Sequence, residues 1–242
     1  SEKFYISSWE KVDSLERIGL TRSALDIVEK IYSAAKKEKQ HPQFIKAIYF
    51  KLKFANYIEE NSHVKIVNEV KKEISESEFP SNAILKSILA DMYWDYYKDN
   101  RNKYLQRTET VNFDNEDFQT WDLNRIIREI TKYYLGSLEN KEELQKILLE
   151  EFEPILINED SREAHLRPTL FDILAHKALK FFINEESSLT QPVYKFVLNN
   201  ENDFAVDTVF VKNNYTTKDS LSLKFYAIQL YQELIASFKL SF

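Results

Sequence analysis

Four histidines are the side chains best suited to metal binding or acid–base chemistry in this sequence: His41, His63, His165 and His176. A zinc site on one helix needs two histidines one turn apart, as in HExxH, and no such pair is present. His41 and His63 stand at predicted helix starts, where solvated or capping roles are favoured. His176 stands on an apolar helix, which favours a core or rim position. The pattern therefore predicts no metal site.

Carboxylates and hydroxyls form no recognisable catalytic arrangement. Catalytic carboxylates must face each other across a cleft, whereas neighbours such as Glu150 and Glu151 are typical of the solvated face of a helix. No GxSxG turn is present, no Ser/His/Asp set follows from spacing, and the chain has no cysteine to serve as a nucleophile. We predict a non-catalytic protein without cofactor or metal. An enzyme is a third possibility, and it would require a deep pocket with convergent polar groups.

The stretch RNKYLQR combines basic and aromatic residues that could contact a phosphate. Arg101, Lys103, Tyr104 and Arg107 carry this pattern, but an acidic sequence follows it. The net charge of -6 and the pI of about 5.4 also disfavour polyanion binding. We predict internal salt bridges for this stretch and no nucleic-acid partner.

The long segment 107–122 is the most polar and aromatic part of the chain. Long segments without regular structure inside compact domains are often functional. The predicted partner-contact residues are Arg107, Glu109, Asp114, Phe118 and Trp121. The alternative interpretation is that Phe113, Phe118 and Trp121 pin the segment onto the helices.

Composition indicates a helical protein. Only two glycines occur in 242 residues, Gly19 and Gly136. Hairpin turns and phosphate-binding loops both depend on glycine, so a β-sandwich or a nucleotide-binding loop would be hard to build. No apolar stretch reaches the roughly 18 residues that a membrane-spanning helix needs, and no direct membrane insertion is predicted.

The first third of the chain has the spacing of helices joined by short turns. Predicted helices cover residues 5–17, 21–39, 42–60 and 63–77, and a fifth begins at Pro80. Gly19 occupies the position of a left-handed C-cap, and Ser62 is the predicted cap of the fourth helix. The third helix is apolar on more than one face, so we expect it to be covered on two sides.

The remainder is less regular. A short helix follows the fifth helix and leads into the segment 107–122. The predicted later features are a helix from Leu123, a capping box formed by Asn140 and Glu143, an apolar helix opened by Pro168, a capped start at Ser188 and Gln191, and a last helix from Asp219 to about Phe238. The fold class is all-α: stacked helical hairpins in an irregular TPR-like array, with at most a short extended segment near 206–212. We expect a single domain covering residues 1–242.

The likeness to a tetratricopeptide unit lies in the first two helices and the start of the third. Gly19, Ala24, Tyr32 and Ala35 follow that pattern loosely. The signature does not recur along the chain, so the array is repeat-like and irregular.

Five segments resemble the amino-terminal helical region of very large bacterial alpha-2-macroglobulin-family proteins: WEKVDSLERIGLTRSALDIVEKIYSAAKKEK, LADMYWDYYKDNRNKYLQRTETVNFDNEDFQTWDL, RPTLFDILAHKAL, LTQPVYKF and TTKDSLSLKFYAIQLYQEL. RTETVNFDN and RPTLFDILAHKAL are the most specific. The resemblance implies a cell-envelope or periplasmic location and a longer parent protein that traps proteinases, with a signal peptide outside this chain. The family often carries a cysteine-containing thioester, which has no counterpart here. What the resemblance implies is an accessory helical module ahead of the trap.

Two functions in the binding class follow. The first is an interaction or scaffolding module whose partner is another domain of the parent chain, a proteinase or an envelope protein. The second is a free-standing adaptor that holds an extended peptide in a groove lined by exposed Tyr and Asn side chains.

Overall fold

The computed structural model describes residues 2–58, 62–107, 116–155, 168–184, 194, 196–198, 206–218 and 221–240. Over these residues it contains helices and no β-strand, which confirms the predicted all-α class. The α-helices are α1 (Glu2–Arg17), α2 (Thr21–Glu38), α3 (His41–Ile58), α4 (His63–Glu76), α5 (Ser81–Asp99), α6 (Arg101–Leu105), α7 (Leu123–Gly136), α8 (Lys141–Leu144), α9 (Leu170–Phe182), α10 (Asp207–Phe210) and α11 (Leu223–Leu240). Two 3-10 helices lie at Phe118–Thr120 and Leu149–Ile155.

The contacts divide the chain into two compact units. Unit 1 contains Ser1–Lys86 and Lys146–Leu170, and unit 2 contains Ser87–Gln145 and Phe171–Phe242. Each unit is therefore built from two separate stretches of sequence. The single domain expected from the sequence stays a prediction.

Unit 1 is organised around the hairpins that α2 forms with α1 and α3. Gly19 has φ +76°, the left-handed conformation predicted for it. α2 packs against both neighbours and buries Ala24, Val28, Ile31 and Ala35. This spacing is the helical stripe expected from the sequence.

α3 has more than one packing partner. It packs against α2 and against the 3-10 segment Leu149–Ile155. Its buried residues are Phe44, Ile45, Ala47, Ile48 and Phe54.

Unit 2 has an aromatic core. Fully buried large side chains on its helices and on the 3-10 helix are Tyr93, Tyr97, Tyr104, Phe118, Tyr134, Phe171, Phe181 and Phe182. Tyr134 links two helices by donating a 2.5 Å hydrogen bond to Asp91, whose other oxygen accepts from Lys177 at 2.5 Å.

Two predicted caps are wrong. Ser62 has helical dihedral angles and donates its hydroxyl to Asn56 at 3.0 Å, so it makes no capping bond to α4. Asn140 likewise makes no side-chain capping bond to α8. Asp122, in contrast, has the extended backbone that a cap requires and accepts the Arg125 N–H at 2.8 Å.

The predicted extended piece near 206–212 contains the short helix α10. The Val209 and Phe210 N–H groups donate to the carbonyl of Val206, which closes one turn. Alternating Val and Phe residues favour a strand only when a neighbouring strand can accept their hydrogen bonds. The predicted capped start at Ser188 and Gln191 lies outside the described residues, as does Asp219.

Candidate protein-interaction surface

One side of α3 carries aromatic and basic side chains in helical register. Lys46, Phe50, Lys53 and Tyr57 recur every three or four residues and so lie along one face. Tyr49 adjoins them, with its ring centroid 5.8 Å from that of Phe50. Tyr49 is 48% exposed and Tyr57 is 71% exposed, although most of this helix is covered. We call these five residues, with Trp9 of α1, the aromatic–lysine face.

Trp9 is held against α3 by three contacts. Its indole N–H donates to Oε1 of Gln43 at 2.7 Å. Its ring lies 5.1 Å from that of Phe50, and Nζ of Lys46 lies 4.5 Å from the ring centroid. These contacts fix the orientation of a large aromatic ring at the edge of the face, because a cation over an aromatic ring and a satisfied indole both favour one rotamer.

Lys53 supplies a fixed positive charge in the middle of the face. Its Nζ lies 2.5 Å from Glu16 of α1 and 5.1 Å from the Phe50 ring centroid. The hydrogen bond to Glu16, and more weakly the neighbouring Tyr57 and Tyr49, raise the pKa of Lys53 above its ordinary value. The lysine is therefore charged throughout the physiological range.

A 3-10 segment of the chain is a packing partner of α3. This segment, Leu149–Ile155, is named the strap. It packs against α3 and buries Leu149 and Phe152. An antiparallel bridge between Leu148 and Thr169 holds its base: the Leu149 N–H donates to the Pro168 carbonyl at 2.8 Å.

Lys46 is a partly buried cation on α3, and the Trp9 ring is its near neighbour. Burial lowers the pKa of Lys46, and the charge of Glu153 partly offsets that effect.

A separate polar cleft of about 200 Å³ lies at one end of the helices of unit 1. Its charged and polar lining includes Lys36, Lys39, His41, Glu76, Glu78 and Ser81. Nδ1 of His41 lies 2.9 Å from Oγ of Ser81, a pair with the composition of a nucleophile and its base. Ser81 is only 1% exposed, so its hydroxyl is closed to a substrate.

The ionisable groups of this cleft neutralise one another. Lys39 lies 2.7 Å from Glu78, and this hydrogen bond lowers the pKa of the Glu78 carboxyl. Burial lowers the pKa of His41, an effect that Glu78 opposes and Lys39 reinforces. With each cation beside an anion, the arrangement is typical of a structural network.

The predicted partner-contact residues have different surroundings. Phe118 and Trp121 are buried, with 1% and 4% of their surfaces exposed, and both pack against Tyr93. Phe118 and Trp121 therefore anchor residues 116–122 to the helices of unit 2, as the alternative interpretation expects for these two residues. Arg107 donates to the Trp121 carbonyl at 2.9 Å. Glu109 and Asp114 lie outside the described residues, as does Phe113, and the partner-contact role of these residues stays a prediction.

The RNKYLQR stretch makes internal contacts. Lys103 donates to Asn100 at 2.8 Å, and the Tyr104 hydroxyl donates to the Phe118 carbonyl at 2.9 Å. The Arg107 guanidinium lies 5.2 Å from the Tyr104 ring centroid. The salt bridges predicted for this stretch stay a prediction.

The described histidines have polar neighbours of their own. Nδ1 of His176 lies 2.7 Å from the Asp172 carbonyl on its own helix, and His165 lies outside the described residues. Within the described ranges, no three His, Asp or Glu side chains are grouped as metal ligands. In the same part of the chain, no helix combines the length and apolar character needed to cross a membrane.

The sequence did not single out the aromatic–lysine face. Tyr49 and Tyr57 stand in a helix whose apolar residues occupy more than one side, and an aromatic residue has the same pattern whether it is buried or exposed. Compared with known proteins, the chain matches no family model, no curated protein and no solved structure.

Proposed function

We propose that this chain is a non-catalytic protein-interaction module and that the aromatic–lysine face is its contact surface. The observation that carries the proposal is the exposure of Tyr49 and Tyr57 on a helix most of whose residues are buried or half-buried. Tyrosine and tryptophan dominate the binding energy of protein interfaces because they provide large, rigid, amphipathic contact areas. Trp9 and Lys53 extend the same surface onto α1.

The proposed setting is the amino-terminal side of an alpha-2-macroglobulin-like proteinase-trapping protein of the cell envelope. Its support is the resemblance of the five segments quoted above. In that setting the partner is a protein: another domain of the parent chain, a proteinase or an envelope protein. The net charge of -6 accords with a protein partner and disfavours a nucleic acid.

A free-standing adaptor for extended peptides is the alternative. Exposed Tyr and Asn side chains are its expected feature, and Asn56 is exposed on α3 between Tyr49 and Tyr57. The first setting makes a prediction of its own. Removing the module from a macroglobulin-like parent should weaken proteinase trapping, and unchanged trapping would count against a direct role in it.

The test is a quantitative pull-down from a bacterial cell-envelope extract with residues 1–242 as bait, read by mass spectrometry. The wild-type chain is compared with Tyr49→Ser/Tyr57→Ser. We expect a protein that the wild type enriches to be lost from the double variant by about tenfold or more, because exposed aromatic anchors at an interface contribute above 1 kcal/mol each.

The control is Tyr231→Ser, which removes an exposed tyrosine from α11 of unit 2. This variant should capture the same protein as the wild type. Equal capture by the double variant and the wild type would argue against the aromatic–lysine face. No enriched protein at high bait concentration would argue against the interaction function itself.

A further inference from the structure

We infer that His41 and Ser81 form a pH-sensitive latch between two turns of unit 1, which opens when the His41 imidazole takes up a proton. The first turn joins α2 to α3 and ends at His41. The second turn joins α4 to α5 and ends at Ser81. The latch does not involve the aromatic–lysine face, so it goes beyond the proposed function.

Two polar contacts join these turns, and they differ in burial. Nδ1 of His41 lies 2.9 Å from Oγ of Ser81. Ser81 is 1% exposed, and His41 is half-buried. Lys39 lies 2.7 Å from Glu78, but these two side chains are 67% and 69% exposed, and an exposed ion pair contributes little to stability. The buried contact between His41 and Ser81 is therefore the stronger tie between the turns.

The burial of Ser81 determines the direction of this hydrogen bond. A buried hydroxyl group needs an acceptor, and among the described residues Nδ1 of His41 is its hydrogen-bond partner. A neutral imidazole has one N–H group and one nitrogen that accepts. We expect Nδ1 to accept and Nε2 to carry the proton, because the opposite tautomer would take the Ser81 hydroxyl hydrogen away from this acceptor.

Protonation of the imidazole breaks this arrangement. Both ring nitrogens of an imidazolium are donors, so the Ser81 hydroxyl group can no longer donate to Nδ1. Its hydrogen must then turn away within an almost fully buried site, which costs free energy. The latch is therefore stable only while His41 is neutral.

The charges of the polar cleft do not compensate for a proton on His41. The charged groups around it are Lys36 and Lys39 from α2, Glu76 from α4 and Glu78 from the second turn. Two positive and two negative charges sum to zero, so an imidazolium gains no net attraction to offset its burial. Burial accordingly lowers the pKa of His41 more than the charge of Glu78 raises it.

Nitrogen NMR of the full chain with isotopically labelled histidine reads the latch directly. The ring-nitrogen shifts report the tautomer and the protonation state, and His41→Gln assigns the His41 signals. At about pH 7.5 we expect the His41 proton on Nε2 and an unprotonated Nδ1. A proton on Nδ1 at that pH would overturn the inference, because the Nδ1–H donor would survive acidification.

Amide hydrogen exchange measures whether the latch opens. The N–H groups of Asn82 and Ile84 donate to carbonyl groups of the second turn. After correction for the intrinsic exchange rate, we expect their protection to fall several-fold between about pH 7.5 and about pH 5.5. Protection at Val28, in the buried stripe of α2, should fall less.

Three variants identify the group responsible. His41→Gln has a side chain that cannot take up a proton, and it should remove most of the fall in protection. The control is His63→Gln, which alters an exposed histidine that also begins a helix and should retain the wild-type fall. Ser81→Ala removes the latch and should give low protection at both pH values. If Ser81→Ala does not fold, the nitrogen spectrum of the wild type still tests the latch.

Two results of the exchange experiment would also overturn the inference. One is an equal fall in protection in His41→Gln and the wild type, which would assign the pH dependence to other groups. The other is unchanged protection in the wild type while the His41 ring titrates, which would mean that a protonated His41 leaves the turns joined.

Discussion

Lys36 makes two ion pairs of the same length in different surroundings. Its Nζ lies 3.2 Å from both Glu73 and Glu76, but the Glu73 side chain is 8% exposed and the Glu76 side chain 45%. Glu73 also accepts a 2.5 Å hydrogen bond from the Tyr32 hydroxyl. Burial therefore decides how much each carboxylate contributes to stability.

We predict that Glu73→Ala lowers the free energy of unfolding by about 1–3 kcal/mol, because it leaves the Tyr32 hydroxyl without its acceptor in a partly buried site. Glu76→Ala removes an exposed pair and should cost about 0–1 kcal/mol. Urea unfolding of both variants measures the difference. Equal losses would contradict the assignment of Glu73 as the structural carboxylate.

His41 should make stability depend on pH in the mildly acidic range. Burial lowers its pKa in the folded state, so below about pH 6.5 the unfolded chain binds a proton that the folded chain does not. The free energy of unfolding is therefore unaffected by this residue above the ordinary pKa of histidine and decreases as the pH falls below it. Between about pH 7.5 and about pH 5.5, the free energy of unfolding should fall less for His41→Gln than for the wild type. An identical loss in both proteins would contradict the prediction.

Among the elements, the turn between α1 and α2 depends on a single glycine. Gly19 has φ +76°, and a Cβ built there meets no atom within 4 Å, so backbone strain alone opposes substitution. Gly19→Ala should lower the free energy of unfolding by about 1 kcal/mol. The control is Lys39, which follows α2 and also has a positive φ, of 54°. Lys39→Gly should cause no comparable loss, because glycine adopts this conformation without strain. Thermal melting compares the two, and an unchanged melting temperature for Gly19→Ala would contradict the argument.

The strap is the element whose removal should expose α3. Phe152 is 3% exposed, and Phe152→Ala should destabilise unit 1 by about 3–5 kcal/mol through lost burial and a residual cavity. Glu150→Ala, at an exposed position of the same segment, should stay within about 0.5 kcal/mol. Hydrogen exchange of α3 amides provides the local measurement. Unchanged protection of α3 in Phe152→Ala would mean that the strap does not cover the helix.

Helices could be predicted where apolar spacing and local turn chemistry agree. The stripe of α2 and the left-handed turn at Gly19 are both local features, and the structure confirms both. The caps at Ser62 and Asn140 were wrong because capping depends on backbone angles that the residue type does not determine. α10 was missed because a four-residue helix has too few residues for a periodic pattern.

For the molecule as a whole, the division into units follows contacts between distant parts of the sequence. Residues 146–170 belong to unit 1, although they follow the first half of unit 2 along the chain. No local sequence pattern predicts that residues 146–170 pack with the first 86 residues. The aromatic–lysine face was missed for a related reason, because the exposure of Tyr49 and Tyr57 depends on which segments pack on α3.

We predict that the fragment 1–86 is less stable than the same residues in the full chain, because it lacks the strap that covers α3. Hydrogen exchange of α2 amides should be faster in the fragment than in the 242-residue protein. The control is the full chain carrying Phe152→Ala, which should show an intermediate rate. Equal exchange in fragment and full chain would contradict a structural role for residues 146–170.

The most direct test of the interaction function is site-specific photo-crosslinking from α3. A benzoylphenylalanine at position 57 of the full chain is irradiated in a cell-envelope extract, with position 231 as the control. We expect a discrete protein adduct from position 57 that is absent from position 231. Adducts of equal pattern and yield from both positions, or none from position 57, would contradict the assignment of the aromatic–lysine face as a protein-binding surface.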